Sequence, residues 1–109
     1  MDDIGFIGFI DLDDTLPVAI QCRNSSGVVT APSSAPTYTV YPPGFSVYIA
    51  TGSLDASDKD SKVGFRTGSI AATSSTGYET NKLYTVIYEY TSASQETAAI
   101  GTFMVTRCR

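Results

Sequence analysis

The chain has 109 residues, enough for one domain with its own hydrophobic core and no need of a metal or a disulfide. Its net charge of −4 gives it no electrostatic attraction for nucleic-acid phosphates, and direct nucleic-acid binding is not expected. Histidine is absent, which excludes Ser–His and Cys–His nucleophile systems.

Only 17% of residues are charged, while Ser and Thr make up roughly a quarter. Abundant Thr, Tyr, Val and Gly with little Leu, Lys or Glu is a β composition. No apolar run approaches the ~18 residues of a membrane-spanning helix, so no membrane partner is expected. The start Met1-Asp2-Asp3 lacks the basic and apolar regions of a signal peptide, and synthesis and assembly in a cytoplasm are expected. In that setting Cys22 and Cys108 read as free thiols rather than as a bonded pair.

Candidate strands follow in chain order. Ile4 to Ile10 is apolar and punctuated by Gly5 and Gly8. Leu16 to Cys22 alternates, with Leu16, Val18, Ile20 and Cys22 on one face. Asn24-Ser25-Ser26-Gly27 is a turn, and Ala31 to Pro36 a Pro/Ser-rich connector. Thr37 to Tyr41 is a strand closed by Pro42-Pro43-Gly44, because proline cannot donate to a ladder. Ser46 to Thr51 follows, then a polar loop from Gly52 to Lys62, then a strand over Val63 to Ala72. The last third carries the clearest signal. Leu83 to Tyr90 places Tyr84, Val86, Tyr88 and Tyr90 on one face, and Ala98 to Thr106 does the same with Phe103 and Val105. These two runs predict a β-hairpin turning between Thr91 and Thr97.

Nothing reads as a helix. Seven short strands with frequent turns predict an all-β fold, a single Greek-key β-sandwich over residues 1–109, which the resemblance given below makes immunoglobulin-like. The predicted core holds Val18, Ile20, Val40, Tyr84, Val86, Tyr88, Phe103 and Val105. Tyr84 stands where sandwiches place a tyrosine whose hydroxyl bonds back across a corner, and simple core packing accounts for it equally. Tyr78 is expected to anchor its loop by packing inward.

Two acidic segments invite chemistry. Phe9-Ile10-Asp11-Leu12-Asp13-Asp14-Thr15-Leu16 resembles the first motif of haloacid-dehalogenase-type phosphatases, which would make Asp11 the nucleophile and Asp13 the acid/base beside Mg²⁺. That fold needs a parallel sheet with helical crossovers, and no helix follows Leu16. The segment is therefore read as a polar turn between the first two strands, its carboxylates accepting from backbone N–H groups. Asp55, Asp58 and Asp60 lack the glycine and terminal Glu of an EF-hand, and Lys59 and Lys62 offset their charge, so this stretch reads as a solvated loop. No catalytic, cofactor-binding or metal residue is assigned, and no cofactor is expected.

Taken whole, the chain resembles the small immunoglobulin-like β-sandwich proteins encoded in tailed-bacteriophage structural gene clusters. The likeness is carried by Ile7 to Val18, Ala35 to Tyr41, Gly64 to Ile70, Gly77-Tyr78-Glu79 with Leu83 to Val86, and Gly101 to Thr106. It implies a non-enzymatic virion structural protein on the capsid surface. The expected role is capsid decoration or cement, with the major capsid protein as partner and several copies associating on the particle. A tail or baseplate module contacting tail proteins is the alternative. A further alternative is a surface glycan-binding domain using Tyr38, Tyr41, Tyr48 and Tyr78 as a platform. Contact is expected through strand edges, apolar patches and loop tips (Thr91 to Thr97, Gly52 to Lys62), with Met1 to Gly5 as a possible extended arm.

Overall fold

A computed structural model describes residues 2–92 and 95–106, the side chains of residues 2–4 excepted. It is an all-β sandwich of seven strands: β1 (Asp2–Asp11), β2 (Thr15–Gln21), β3 (Thr37–Tyr41), β4 (Ala50–Ser53), β5 (Phe65–Ala71), β6 (Lys82–Ser92) and β7 (Gln95–Thr106). The larger layer has the order β1-β7-β6-β3-β4, and β2 pairs with β5 in the smaller one. As in an immunoglobulin-type sandwich, the second and fifth strands face a sheet built on the third, sixth and seventh, while β1 and β4 here join the larger layer.

The hairpin forms as the alternation predicts, and its strands run further than the sequence marks. β6 reaches Ser92 and β7 begins at Gln95, in a ladder from Lys82 opposite Val105 to Ser92 opposite Gln95. Much of the stretch read as a turn from Thr91 to Thr97 is thus paired strand. All eight predicted core residues are buried. Tyr84 serves both expected roles: it is 1% exposed, and its hydroxyl accepts from the Glu79 N–H at 2.7 Å, five residues upstream. Tyr78 packs inward against Tyr84, ring centroids 5.0 Å apart.

Three features differ from the sequence reading. The strand expected at Ser46 to Thr51 is shifted to Ala50–Ser53. Pro42-Pro43-Gly44-Phe45 closes with the Phe45 N–H donating to the Pro42 carbonyl at 3.1 Å. With Gly44 at φ +93° this is a type II turn, which favours proline at its second position and needs a positive φ at its third. Phe45 itself is left-handed, so the chain rejoins β3 only at Ile49, whose N–H donates to the Val40 carbonyl.

The second difference lies at the start. Asp2, Asp3 and Gly5 stand opposite Ala99, Ile100 and Gly101, so from Asp2 onward the expected arm belongs to the sheet. The third is direction: β1 runs parallel to β7. Parallel neighbours need a long connection, and here the whole sandwich supplies it in place of a crossover helix.

Candidate protein-binding face

The inner face of the large layer is closed by β2 and β5. Its outer face carries apolar side chains as well. Side chains directly opposite one another in a ladder share a face, so the register defines rows across the strands. Phe9, Met104 and Leu83 form one row, and Phe6, Thr102, Thr85 and Tyr41 the next. Ile100, Ile87, Thr39 and Thr51 form a third. Tyr41 continues into the loop through Phe45, ring centroids 5.7 Å apart.

The large side chains of this surface stand in water: Phe9 is 67% exposed, Phe45 53%, Phe6 51% and Leu83 43%. Single exposed apolar residues are ordinary, but contiguous ones rimmed by polar groups mark contact surfaces. The third row runs on to Asp3, opposite Ile100; among the described side chains of these three rows none is charged. The charges lie at the ends, Asp11 opposite Thr106 at one and Glu89 and Glu96 at the other. Depletion of charge at the centre with a polar rim is the anatomy of a protein interface.

Phe6 and Phe9 reach the same face because of two glycines. Gly5 and Gly8 have positive φ, +80° and +137°, and the β1 register slips at Asp3/Gly5 and again at Phe6/Gly8. Each slip is a bulge that absorbs one extra residue. The tandem triplets Gly5-Phe6-Ile7 and Gly8-Phe9-Ile10 therefore repeat one geometry: phenylalanine outward, isoleucine inward. Ile10 is 6% exposed in the core and Ile7 packs against it. The two phenyl rings meet edge to face at 5.0 Å. The same bulges break the regularity of the outermost strand, which blunts it as a template for edge pairing.

Sequence reading missed Phe6 and Phe9 as surface residues. Strict period-2 alternation from Ile4 to Ile10 puts Phe6 and Phe9 on opposite faces. The signal that finds them is the repeated Gly-Phe-Ile triplet.

The acidic motif is a corner. Asp11 ends β1, where its carboxylate accepts from the Thr106 hydroxyl at 2.7 Å. Asp13 is left-handed, and its carboxylate accepts from the Ser74 N–H at 2.8 Å. Asp14 accepts from the Thr15 N–H at 2.8 Å. Backbone bonds from the Asp13 N–H to the Ala72 carbonyl and from the Ala72 N–H to the Asp14 carbonyl fix the crossing between layers. Each carboxylate accepts from a neighbouring backbone or hydroxyl donor, as a polar turn requires.

The second acidic segment is only partly a solvated loop. Asp58 accepts from the Gly64 N–H at 3.1 Å and from Arg66 Nε at 3.0 Å. Arg66 is 4% exposed, so Asp58 compensates a buried charge. Asp55 accepts from the Thr67 hydroxyl at 3.0 Å. Among the described residues no group of three or more Asp, Glu, Cys or His is placed to hold a metal ion. Cys22 is a free, fully buried thiol at the end of β2. Burial pushes its pKa up to about 11, with Arg66 opposing. Cys108 lies outside the described residues.

The four tyrosines of the glycan reading do not share a platform. Tyr78 is 2% exposed in the core, and Tyr38 packs against that core from β3. Tyr41 lies on the outer face and Tyr48 is exposed in the loop beyond it. A shallow groove of about 370 Å³ lies at the acidic end, between Ser34 to Thr37 and the hairpin residues Glu89 to Thr91 and Glu96 to Ala98. In comparisons with known proteins, no family model matches the chain and no curated protein matches it.

Proposed function

We propose that this protein is a non-enzymatic virion structural protein, a capsid decoration or cement subunit that joins the assembled shell in many copies and stabilises it. The observation that carries the reading is the uncharged apolar outer face from Phe6 and Phe9 across Met104 and Leu83 to Tyr41 and Phe45. Such a face gains free energy when another protein surface removes it from water. The virion setting comes from the whole-chain resemblance in strand pattern and turn placement, and is analogy of fold to role. A partner that binds only the assembled state stabilises that state by mass action.

The test uses purified tailed-phage particles carrying this protein. Particles stripped of it are expected to disassemble at lower temperature, and re-addition to restore the original value. Copies confined to one vertex or to the tail would replace the capsid role by the tail-module role. Particles of unchanged stability that do not rebind the protein would overturn the reading.

A further inference from the structure

We propose that the occupant of the outer face is a second copy of this chain, in a two-fold, face-to-face dimer that is the unit of assembly. This rests on the reading that the face is a protein-docking surface, and it names the partner.

Size is the first argument. Five strands spaced ~4.8 Å apart, with three apolar rows and their flanks at ~3.3 Å per residue, present a face of about 500–600 Å². Pairing two such faces removes upwards of ~1,000 Å² in total, the threshold for a specific interface. The chain measures only 42 × 29 × 20 Å, so the face takes up much of one broad side.

Shape is the second. Large aromatic side chains stand at both flanks, Phe6 and Phe9 on β1 and Tyr41 with Phe45 beyond β3. Between them the Phe6–Tyr41 row is low, built on Thr102 and the buried Thr85, with Met104 and the exposed Leu83 in the row beside it. A two-fold axis running along the central strand β6, in the plane of contact, sets β1 of one copy over the β3–β4 side of the other. The Phe6–Phe9 pair then meets the Tyr41–Phe45 pair twice, and the low middle faces itself. A closed isologous contact has this self-complementarity, and aromatic pairs favour edge-to-face meetings of this kind.

Charge is the third. A partner recognised by complementarity would bring basic groups to Asp11, Glu89 and Glu96 at the rim. Among the described side chains, nothing in the three central rows asks for a charge of either sign. A second copy satisfies the centre and leaves like charges at a wet rim, where salt screens their repulsion. Self-association of this acidic chain therefore tightens as salt rises, whereas docking of a basic partner weakens. The β2–β5 layer and the loop 52–62 remain outside the pair, free for contact with the shell.

Sedimentation velocity of the intact protein tests this, with particle binding as the second readout. The wild type is expected as a dimer of twice 11.6 kDa, with association strengthened by added salt. Phe9→Arg and Leu83→Arg, both at exposed positions, are expected to weaken the dimer by at least about tenfold, as loss of an interface anchor does. Val63→Arg, at an exposed position just before β5, should leave it intact. Circular dichroism and thermal melts confirm that the variants fold. A folded wild type that stays monomeric up to about 100 µM, where an interface of this size associates, overturns the proposal. If Leu83→Arg then also abolishes particle binding, the shell covers the face, and the docking reading survives while the dimer does not. A dimer disrupted by both arginines in a protein that does not bind particles keeps this inference and removes the virion role.

Discussion

Strand β6 shows two faces that differ less in composition than in company. Inward it carries Tyr84, Val86 and Tyr88, each 1% exposed or less, and outward Leu83, Thr85 and Ile87. The inner set is covered by β2 and β5, which reach across with Leu16, Val18, Ile20 and Ile70. The outer set is uncharged and uncovered by any described strand. An ordinary half-buried sheet reads apolar inside and polar outside. Here Leu83 and Ile87 stand on the outer side as well, beside Thr85 and Glu89, and this supports the docking proposed above. Side chains on the inner face hold the fold together; those on the outer face are available to bind.

That contrast gives graded expectations. Phe103→Ala on the inner face should destabilise the fold by about 3–5 kcal/mol, through lost burial and a cavity. Leu83→Ala on the outer face should change unfolding of the monomer by about 0.5 kcal/mol or less. Chemical denaturation of both variants below the association concentration measures the difference. Similar losses at the two sites would erase the distinction between the faces.

Alkaline pH acts on the buried core. Burial raises the Tyr88 phenol to about 12 from 10.0, raises Tyr78 and Tyr84 as well, and takes the Cys22 thiol to about 11 from 9.0. These groups keep their protons in the folded chain after the unfolded chain has released them. The unfolded state then binds fewer protons, so stability falls as pH rises. The loss should begin near pH 9 with Cys22 and steepen above pH 10 with the tyrosines. Cys22→Ala should remove the first part of the decline in a pH series of melts.

Much of this architecture is legible in the sequence because its longest strands alternate without interruption. From Leu83 to Tyr90 each second residue is tyrosine or valine, from Ala98 to Thr106 Phe103 and Val105 keep the alternation, and register follows from pattern. Pattern alone misplaces β4, because Phe45, Val47 and Tyr48 look like strand residues, although the type II turn at Pro43-Gly44 and the left-handed Phe45 delay pairing until Ile49. The parallel direction of β1 leaves no mark in a local pattern, since it depends on where the last strand lies. The outer face was hidden by the bulges. Two added residues re-phase β1, so alternation counted from Ile4 puts Phe9 on the wrong side. Pairing of Arg66 with Asp58 was equally invisible, because charge spacing does not report burial.

Bulge geometry yields a smaller expected effect that sharpens the comparison. Gly8→Ala forces a side chain onto φ +137°, with no steric contact within 4 Å to confuse the result. The cost should be about 1–2 kcal/mol from backbone strain. Weaker association should accompany it as Phe9 loses its outward phase, measurable by denaturation and by sedimentation on the same sample. Smallest of all is Tyr78→Phe. The Tyr78 hydroxyl is buried without a hydrogen-bond partner, so deleting it should leave stability unchanged or raise it by about 1 kcal/mol. A clear loss would reveal a partner for that oxygen.

The most direct measurement is oxidative footprinting of the intact protein, read residue by residue at low concentration, at high concentration and on the particle. If the outer face is a covered binding surface, labelling of Phe6, Phe9, Leu83 and Met104 falls together when the protein associates. Val28 and Val63, exposed away from the large sheet, keep their labelling at high concentration in solution. Unchanged labelling of the four outer residues in the associated state, with protection elsewhere, would contradict the account.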